Sequence, residues 1–175
     1  MDRKTYVSDE VVVLCEYVEA IDDPDLYACW LDEDTQRGYN RAAACTFEEW
    51  SQGGGFLHRF IAAIVRRRDG ARVGAIFLSP EGAAPDLAIM IYAPYRGMGY
   101  GTRAFSLGAR YCFDSLSLDF VYAGCYPDNR ASRKMLEKSG FQPHPEGDVR
   151  EKHYLTGEDV IQLDFVKYAG NEALS

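Results

Sequence analysis

The sequence predicts a mixed α+β fold in a single domain, because its apolar pattern changes halfway along the chain. Residues 60–92 are typical of three strands joined by short turns, which indicates an antiparallel meander. Beyond residue 100, helix-spaced and strand-like apolar segments alternate instead. A chain of 175 residues is about the size of one domain. We therefore expect one domain over 1–175, in which an N-terminal strand and helices (11–59) precede a sheet-forming part (60–168).

The N-terminal part is predicted to contain one strand and two short helices. Residues 11–15 form a β-branched run that suits a strand. Pro24 is placed to start a helix, since proline is favoured in the first helical turn. Thr46 is placed to cap a second helix, with Glu49 three residues later as in a capping box.

The central part is predicted to be the meander itself. The apolar segments 60–65 and 73–78 flank Asp69-Gly70, a dipeptide that is typical of a hairpin turn. A Ser-Pro-Glu-Gly break at 79–82 then separates them from a third apolar segment at 87–92. Strands joined by such short connections are antiparallel.

The last part alternates helices and strands. A glycine-rich turn at 96–101 opens a predicted helix, which is followed by a strand at 120–125 and a second helix at 129–139. Two final strands are expected at 149–155 and 160–168.

Composition excludes several classes of protein. No apolar run approaches the roughly 20 residues of a membrane span, and the first residues lack the apolar region of a signal peptide. The cysteines are odd in number and show no zinc-site spacing, so we expect reduced cysteines in a cytoplasmic protein and no metal site. These are Cys15, Cys29, Cys45, Cys112 and Cys125.

Charge is distributed unevenly. The net charge of −8 argues against a nucleic-acid partner. Residues 1–50 carry 13 acidic and 4 basic side chains, whereas the remainder carries 14 and 15. The later part of the chain is therefore the part that suits an anionic ligand, and the first part would attract a cation.

The glycine-rich turn is the most informative segment. In Arg96-Gly97-Met98-Gly99-Tyr100-Gly101-Thr102, three glycines in five residues let backbone N–H groups converge at the start of a helix. The positive end of the helix dipole and the charges of Arg96 and Arg103 add to this, so the turn suits a phosphate or pyrophosphate. A nucleoside-triphosphate loop would need a lysine before Thr102, and a dinucleotide-binding fold would need wider glycine spacing in a parallel βαβ unit.

Two motifs resemble the GCN5-related N-acetyltransferase (GNAT) superfamily. Arg96, Gly99 and Gly101 match its Arg/Gln-x-x-Gly-x-Gly/Ala acyl-CoA loop, and residues 129–141 are similar to its Asn-x-x-Ser/Ala…Glu-Lys-x-Gly-Phe element. Within the superfamily the chain looks closest to the RimJ/RimL-like ribosomal-protein alanine N-acetyltransferases. That closer likeness depends on Ser132, Leu136 and the segment 150–159.

The resemblance implies a central, mostly antiparallel sheet of about seven strands, splayed in the middle, with helices on both faces. It implies acetyl-CoA as acyl donor, a primary amine as acceptor and a homodimer. The backbone around Ile91 would pair with the pantetheine arm, and the 97–101 amides with Thr102 would hold the pyrophosphate. Asn129 would bond pantetheine or brace the splayed strands, and Ser132 would lie near the sulfur. Arg130, Arg133 and Lys134 are expected near the 3′-phosphate or on a solvated helix face.

The catalytic residues are less clearly indicated. Leu136 occupies the helix position where many superfamily members have a tyrosine acid, so Ser132 is the candidate proton donor to the thiolate. Glu151 and His153, two apart in a predicted strand and so on one face, are the candidate general bases, and a water chain is the alternative. The acidic run at 32–34 would favour a cationic amine. Aromatic candidates for the acceptor side are Trp30, Tyr39, Trp50 and Phe56.

We therefore expect an acetyl-CoA-dependent N-acetyltransferase that works by direct attack in a ternary complex. The acceptor is left open among a protein N-terminus, an amino acid, a polyamine and an aminoglycoside. The alternative is a non-catalytic acyl-CoA-binding or regulatory module.

Overall fold

The computed structural model describes residues 3–54 and 58–170. Five antiparallel strands form the first sheet, each paired with its neighbour in sequence. They are β1 (Thr5–Ser8), β2 (Val12–Glu16), β3 (Phe60–Arg66), β4 (Arg72–Leu78) and β5 (Leu87–Ile91). The predicted meander is confirmed, including its Asp69-Gly70 hairpin, where Gly70 has the left-handed φ of 71°.

Four further strands form the second, C-terminal sheet, in which the long final strand pairs with all the others. They are β6 (Phe120–Cys125), β7 (Gln142–Pro143), β8 (Val149–Lys152) and β9 (Asp159–Tyr168). The described residues form nine strands where about seven were expected, and the two additional strands are β1 and β7. Each of these is four residues or fewer, too short to show an apolar alternation.

The two sheets meet at a single point and then diverge. Asp86, just before β5, forms an isolated parallel bridge with Tyr122 of β6, and the Tyr122 N–H donates to the Pro85 carbonyl at 2.8 Å. Beyond this point no ladder connects β5 with β6 among the residues described. The expected splayed, mostly antiparallel sheet is therefore confirmed.

Helices cover both faces of the first sheet, and the last helix packs against β6 of the second sheet. They are α1 (Glu19–Leu31), α2 (Glu33–Tyr39), α3 (Phe47–Glu49, continued by a π-helical turn at Trp50–Gly54), α4 (Tyr100–Asp114) and α5 (Arg130–Lys138). Leu87 of β5 packs into the core under α4, whereas Met90 packs with Trp30 of α1 on the opposite face. Among the described residues no helix is both long and apolar enough to cross a membrane.

The start of α1 differs from the expectation. Pro24 does not begin the helix; it is the sixth residue of a helix that starts at Glu19. The buried Asp22 carboxylate accepts from the Val18 N–H at 2.7 Å and pairs with Arg3 at 2.6 Å, which stabilises the turn before the proline. The second prediction holds, because Thr46 and Glu49 form both bonds of a capping box.

Gly74 determines how closely β4 approaches β5. A Cβ atom at this position would lie 2.2 Å from the Met90 carbonyl oxygen, which is backbone and has little freedom to move. We expect Gly74→Ala to lower the free energy of unfolding by about 1–3 kcal/mol, the usual cost of overpacking. Urea unfolding measures this. The control is Arg68→Ala at the exposed tip of the same hairpin, which should change little, and equal stability of both variants would contradict the packing argument.

Candidate active site

A cavity of about 840 Å³ occupies the gap where the two sheets diverge. Its walls are β5 on one side and Ala123 and Gly124 of β6 on the other. The N-terminal ends of α4 and α5 and five residues of α2 complete the lining; those of α2 are Asp34, Thr35, Arg37, Gly38 and Tyr39. The cavity is therefore lined by elements from both faces of the sheet.

The glycine turn forms the α4 side of this cavity. Gly97 and Gly99 have left-handed φ values of 73° and 84°, which favour glycine, and Gly99 is the N-cap of α4. The first N–H groups of a helix have no partner within it, so those at 100–102 are free to bind an anion. Of the predicted loop residues, Arg96, Gly97, Gly99, Tyr100, Gly101 and Thr102 line the cavity. Met98 does not, and its side chain is 59% exposed.

The backbone of β5 presents every second residue to the gap. The Tyr92 N–H donates to the Val73 carbonyl, and the Asp86 carbonyl accepts from the Ser79 N–H, so the backbone groups of even-numbered residues form hydrogen bonds with β4. Because backbone groups alternate in direction along an antiparallel strand, the N–H and C=O groups of Leu87, Ile89 and Ile91 point toward β6. The predicted Ile91 backbone is thus at the gap. Its carbonyl already accepts from Arg96 Nε at 3.0 Å, and the Ile89 carbonyl accepts from the Tyr39 hydroxyl at 2.8 Å.

Arg96 differs from its expected role as an added charge at the turn. Its guanidinium donates to Asp32 at 2.8 Å and to the Thr35 hydroxyl at 2.8 Å, in addition to the Ile91 carbonyl. Burial acts to lower the pKa of Arg96, but the hydrogen bond and charge of Asp32 outweigh it and raise that pKa. Asp32 is also the N-cap of α2. Arg96 therefore braces the end of β5 against α2, and its charge is neutralised by protein.

Helix α5 adds further positive charge at the cavity, where Arg37 and Arg96 are paired with Asp34 and Asp32. Arg103, the other predicted cation, pairs with Asp9 and Glu10 of the β1–β2 turn, at 3.0 and 2.5 Å. Arg133 pairs with Glu137 on the exposed side of α5. Three cations spaced four residues apart line the cavity, as expected for one face of a helix. They are Arg130, Lys134 and Lys138.

Asn129 and Ser132 both line the cavity at the start of α5. The Asn129 side-chain oxygen accepts from the Ser132 N–H at 3.0 Å and so caps the helix. On the other side, an added Cβ at Gly38 of α2 would lie 3.2 Å from the Asn129 amide nitrogen. Asn129 therefore lies between α5 and α2, and its bond to pantetheine or its bracing of the splayed strands stays a prediction.

The two predicted bases do not share a strand face. Strand β8 ends at Lys152, and His153 lies in the following turn, where its Nδ1 accepts from the N–H groups of Leu155 and Thr156 at 3.3 and 3.2 Å. The ring therefore accepts from turn amides, as local side-chain-to-backbone bonds do in turns. Glu151 remains in β8 and accepts a hydrogen bond from the buried Tyr126 hydroxyl. Neither side chain lines the cavity.

Three carboxylates line the cavity, those of Asp34, Asp86 and Asp128, and the sequence analysis did not identify Asp86 as a candidate. Ala88 and Met90 belong to the apolar cluster of the α1 side, so strand alternation directs Asp86 to that side too. By relative surface area Asp86 is an exposed residue, because its side chain opens to the cavity, but the protein around it still desolvates the carboxylate. Burial, with a smaller contribution from the charge of Asp164, raises the pKa of Asp86 to about 7. An isolated aspartate before a predicted strand carries no signal that would have identified it.

Of the aromatic candidates that the structure describes, only Tyr39 lines the cavity. Trp30 of α1 and Trp50 lie in the apolar cluster on the α1 side of the sheet, and Phe56 lies outside the described residues. Within residues 3–54 and 58–170, no cluster of three or more potential metal ligands is present.

The different roles of Arg96 and Arg103 predict different effects on the free energy of unfolding. We expect Arg96→Ala to lower the free energy of unfolding by about 1–3 kcal/mol, because partly buried acceptors on Asp32 and Ile91 lose their donor. Arg103→Ala, which removes an exposed ion pair, should unfold at the same urea concentration as the parent. Equal losses in both variants would contradict the bracing role of Arg96.

Comparisons with known proteins agree with this geometry. The family model described as "Acetyltransferase (GNAT) domain" matches residues 13–142. The probable N-acetyltransferase YjcK of Bacillus subtilis (strain 168) is 38% identical over 63 residues, a match that covers 36% of this chain and 34% of that protein.

Two solved structures share the fold over nearly the whole chain. Spermidine N-acetyltransferase from Vibrio cholerae, in complex with CoA and spermine, matches with a TM-score of 0.76, 14% identity and coverage of 91% of this chain and 96% of its own. Ribosomal-protein-S5-alanine acetyltransferase from Vibrio fischeri matches with a TM-score of 0.73, 18% identity and coverage of 94% and 97%. With the match of the family model over most of the chain, these findings show that the chain belongs to the GNAT acetyltransferase family.

Proposed function

We propose that this protein transfers the acetyl group of acetyl-CoA to a primary amine, by direct attack in a ternary complex. The observation that carries the proposal is the continuous cavity in which the open edge of β5 leads to the glycine turn. An extended acyl-CoA arm can pair with such an edge as an added strand would. The side of the cavity toward α2 is left for the amine.

The N–H groups of the glycine turn hold the pyrophosphate in this proposal, at the positive end of the α4 dipole. The three cations of the α5 face add charge for the remaining phosphate. The backbone N–H of Ile91, or of Ile89, donates to the thioester carbonyl and stabilises the oxyanion that forms during attack. Asn129 fixes the start of α5, and Arg96 fixes the end of β5.

Asp86 accepts the proton of the incoming ammonium. A carboxylate with its ordinary pKa near 4 is a weak base toward an amine, and the rise to about 7 makes Asp86 stronger while leaving it largely ionised above pH 7. Ser132 donates to the leaving thiolate, since Leu136 has no proton to give. Glu151 and His153 have structural roles in this proposal, at the Tyr126 contact and at the β8–β9 turn.

The acceptor is a cationic amine in this proposal, since Asp34, Asp86 and Asp128 line the cavity. A RimJ/RimL-like chain would acetylate a protein N-terminus, and a small polyamine is the other candidate. We also propose a cytoplasmic location, because all five cysteines are free thiols.

Binding to the glycine turn is tested with two matched variants. Gly99 and Gly82 have similar φ values of 84° and 88° and open space where a Cβ would be added, but only Gly99 lines the cavity. We expect Gly99→Ala to weaken CoA binding about tenfold or more in calorimetry, since the strained turn loses its aligned amides. Gly82→Ala should bind CoA like the parent. Equal binding by both would contradict the placement of the pyrophosphate, and a parent that binds no CoA would reject the proposed function.

Proton acceptance by Asp86 is tested by thiol release from acetyl-CoA against a panel of N-terminal peptides and polyamines. We expect Asp86→Asn to release thiol about 100-fold or more slowly than the parent at pH 7, with CoA binding retained, because a general base contributes about 10²–10⁴ in rate. Glu151→Gln and His153→Ala should lose no more than a few-fold. Turnover by Asp86→Asn at the parent rate would reject its role, and CoA binding by the parent without turnover of any amine would favour the non-catalytic module.

A further inference from the structure

The β8–β9 hairpin extends beyond the rest of the C-terminal sheet. Strand β6 pairs with β9 only as far as the Cys125–Leu163 pair, and β8 pairs with the segment 159–162 that continues past it. A two-stranded ribbon of this kind is marginally stable by itself. Its apolar side chains add little packing, since Val149 is 50% and Leu155 72% exposed. Contacts from elsewhere in the fold therefore have to hold the ribbon in place.

Asn40 supplies such a contact from the end of α2. It is the C-cap of that helix, and its side-chain amide pairs with the hairpin backbone at two points. Its Nδ2 donates to the Lys152 carbonyl at 2.9 Å, and its Oδ1 accepts from the Tyr154 N–H at 2.9 Å. An amide side chain has both the donor and the acceptor that a strand backbone requires. Asn40 therefore takes the place of a neighbouring strand where the ribbon has none among the described residues.

Tyr39 attaches the same end of α2 to the other sheet. Its hydroxyl donates to the Ile89 carbonyl of β5 at 2.8 Å. Two consecutive residues, Tyr39 and Asn40, therefore bond to the two sheets on either side of the gap. The single bridge between β5 and β6 in the described part of the chain, from Asp86 to Tyr122, lies before the first residue of β5. The end of α2 is thus a second connection across the gap.

The hairpin also carries part of the cavity wall. Gln162 of β9 lines the cavity and lies across Gly124 of β6, where an added Cβ would be 2.9 Å from the Gln162 amide. Gly38 and Tyr39 of α2 line the cavity too. A shift of the hairpin away from α2 would therefore change the distance between two parts of the cavity wall.

We propose that Asn40 is a positioning residue for the acceptor amine, because it fixes the β8–β9 hairpin against α2 and so sets the width of the cavity on that side. The inference rests on the proposed transfer of an acetyl group to an amine. In that proposal CoA is held by the glycine turn and by the cations of α5, which are not on the elements that Asn40 joins. Loss of the Asn40 contacts should therefore affect the amine before it affects the cofactor.

The test compares two variants with the same change of residue at the same backbone conformation. Within residues 3–54 and 58–170, Asn40 and Ser117 are the residues other than glycine with a left-handed φ, at 49° and 54°. Glycine adopts this conformation freely, so Asn40→Gly removes the two side-chain bonds without adding strain. Ser117→Gly is the matched control, since Ser117 is exposed in the turn between α4 and β6 and does not line the cavity.

We expect Asn40→Gly to raise the KM of the amine about tenfold, as two lost hydrogen bonds would. The amine is the peptide or polyamine that the parent acetylates fastest. The Kd of CoA in calorimetry should stay within about twofold of the parent value. The Tyr154 amide should exchange its hydrogen with solvent about tenfold faster or more, because it loses its acceptor. Ser117→Gly should match the parent in all three measurements.

A raised KM for the amine with unchanged CoA binding supports the positioning role. An unchanged KM, an equal rise in Ser117→Gly, or a loss of CoA binding as large as the rise in KM would overturn it. The proposed function fails separately, if the parent releases no thiol with any amine. In that case too, exchange of the Tyr154 amide at the parent rate in Asn40→Gly would overturn the contact itself.

Discussion

The divergence of β5 from β6 is the constraint on which the site depends. The two strands are joined by one bridge between Asp86 and Tyr122. Beyond it the N–H groups of Ile89 and Ile91 face the cavity, while their carbonyls accept from Tyr39 and Arg96. Unpaired backbone groups inside a protein are costly, so an opening of this kind persists only where solvent or a ligand can satisfy them. The cores on either side hold the strands apart, with α4 packed on one face and α1 on the other.

Arg96 shows how the gap is held open at its far end. By bonding the Ile91 carbonyl, Asp32 and Thr35 together, it ties the last residue of β5 to the start of α2. The same contacts offset its charge through the pair with Asp32, although Arg96 also lines the cavity. Two functions therefore belong to different residues. The cations of α5 provide positive charge at the cavity that is unpaired among the described residues, and Arg96 fixes the position of β5 relative to α2.

The site also has a cost in stability. An aspartate whose pKa rises to about 7 on folding contributes stability at low pH, and this contribution is lost as the pH rises through that value. Asp86 is also exposed to the cavity, so solvent limits the size of this effect. The raised pKa suits the proposed chemistry, which needs a base stronger than an ordinary aspartate.

The amino-acid sequence by itself determined the features that depend on neighbours within a few residues. The meander, the Asp69-Gly70 hairpin, the capping box at Thr46 and the glycine turn before α4 follow from spacing and turn chemistry, and each stands where it was predicted. Only the tertiary structure decided the partners of Arg96 and Arg103, the turn position of His153 and the exposure of Asp86 to the cavity. Arg96 and Asp32 are 64 residues apart in the chain. Contacts of that kind arise when sheets and helices pack, and no local pattern of residues encodes them.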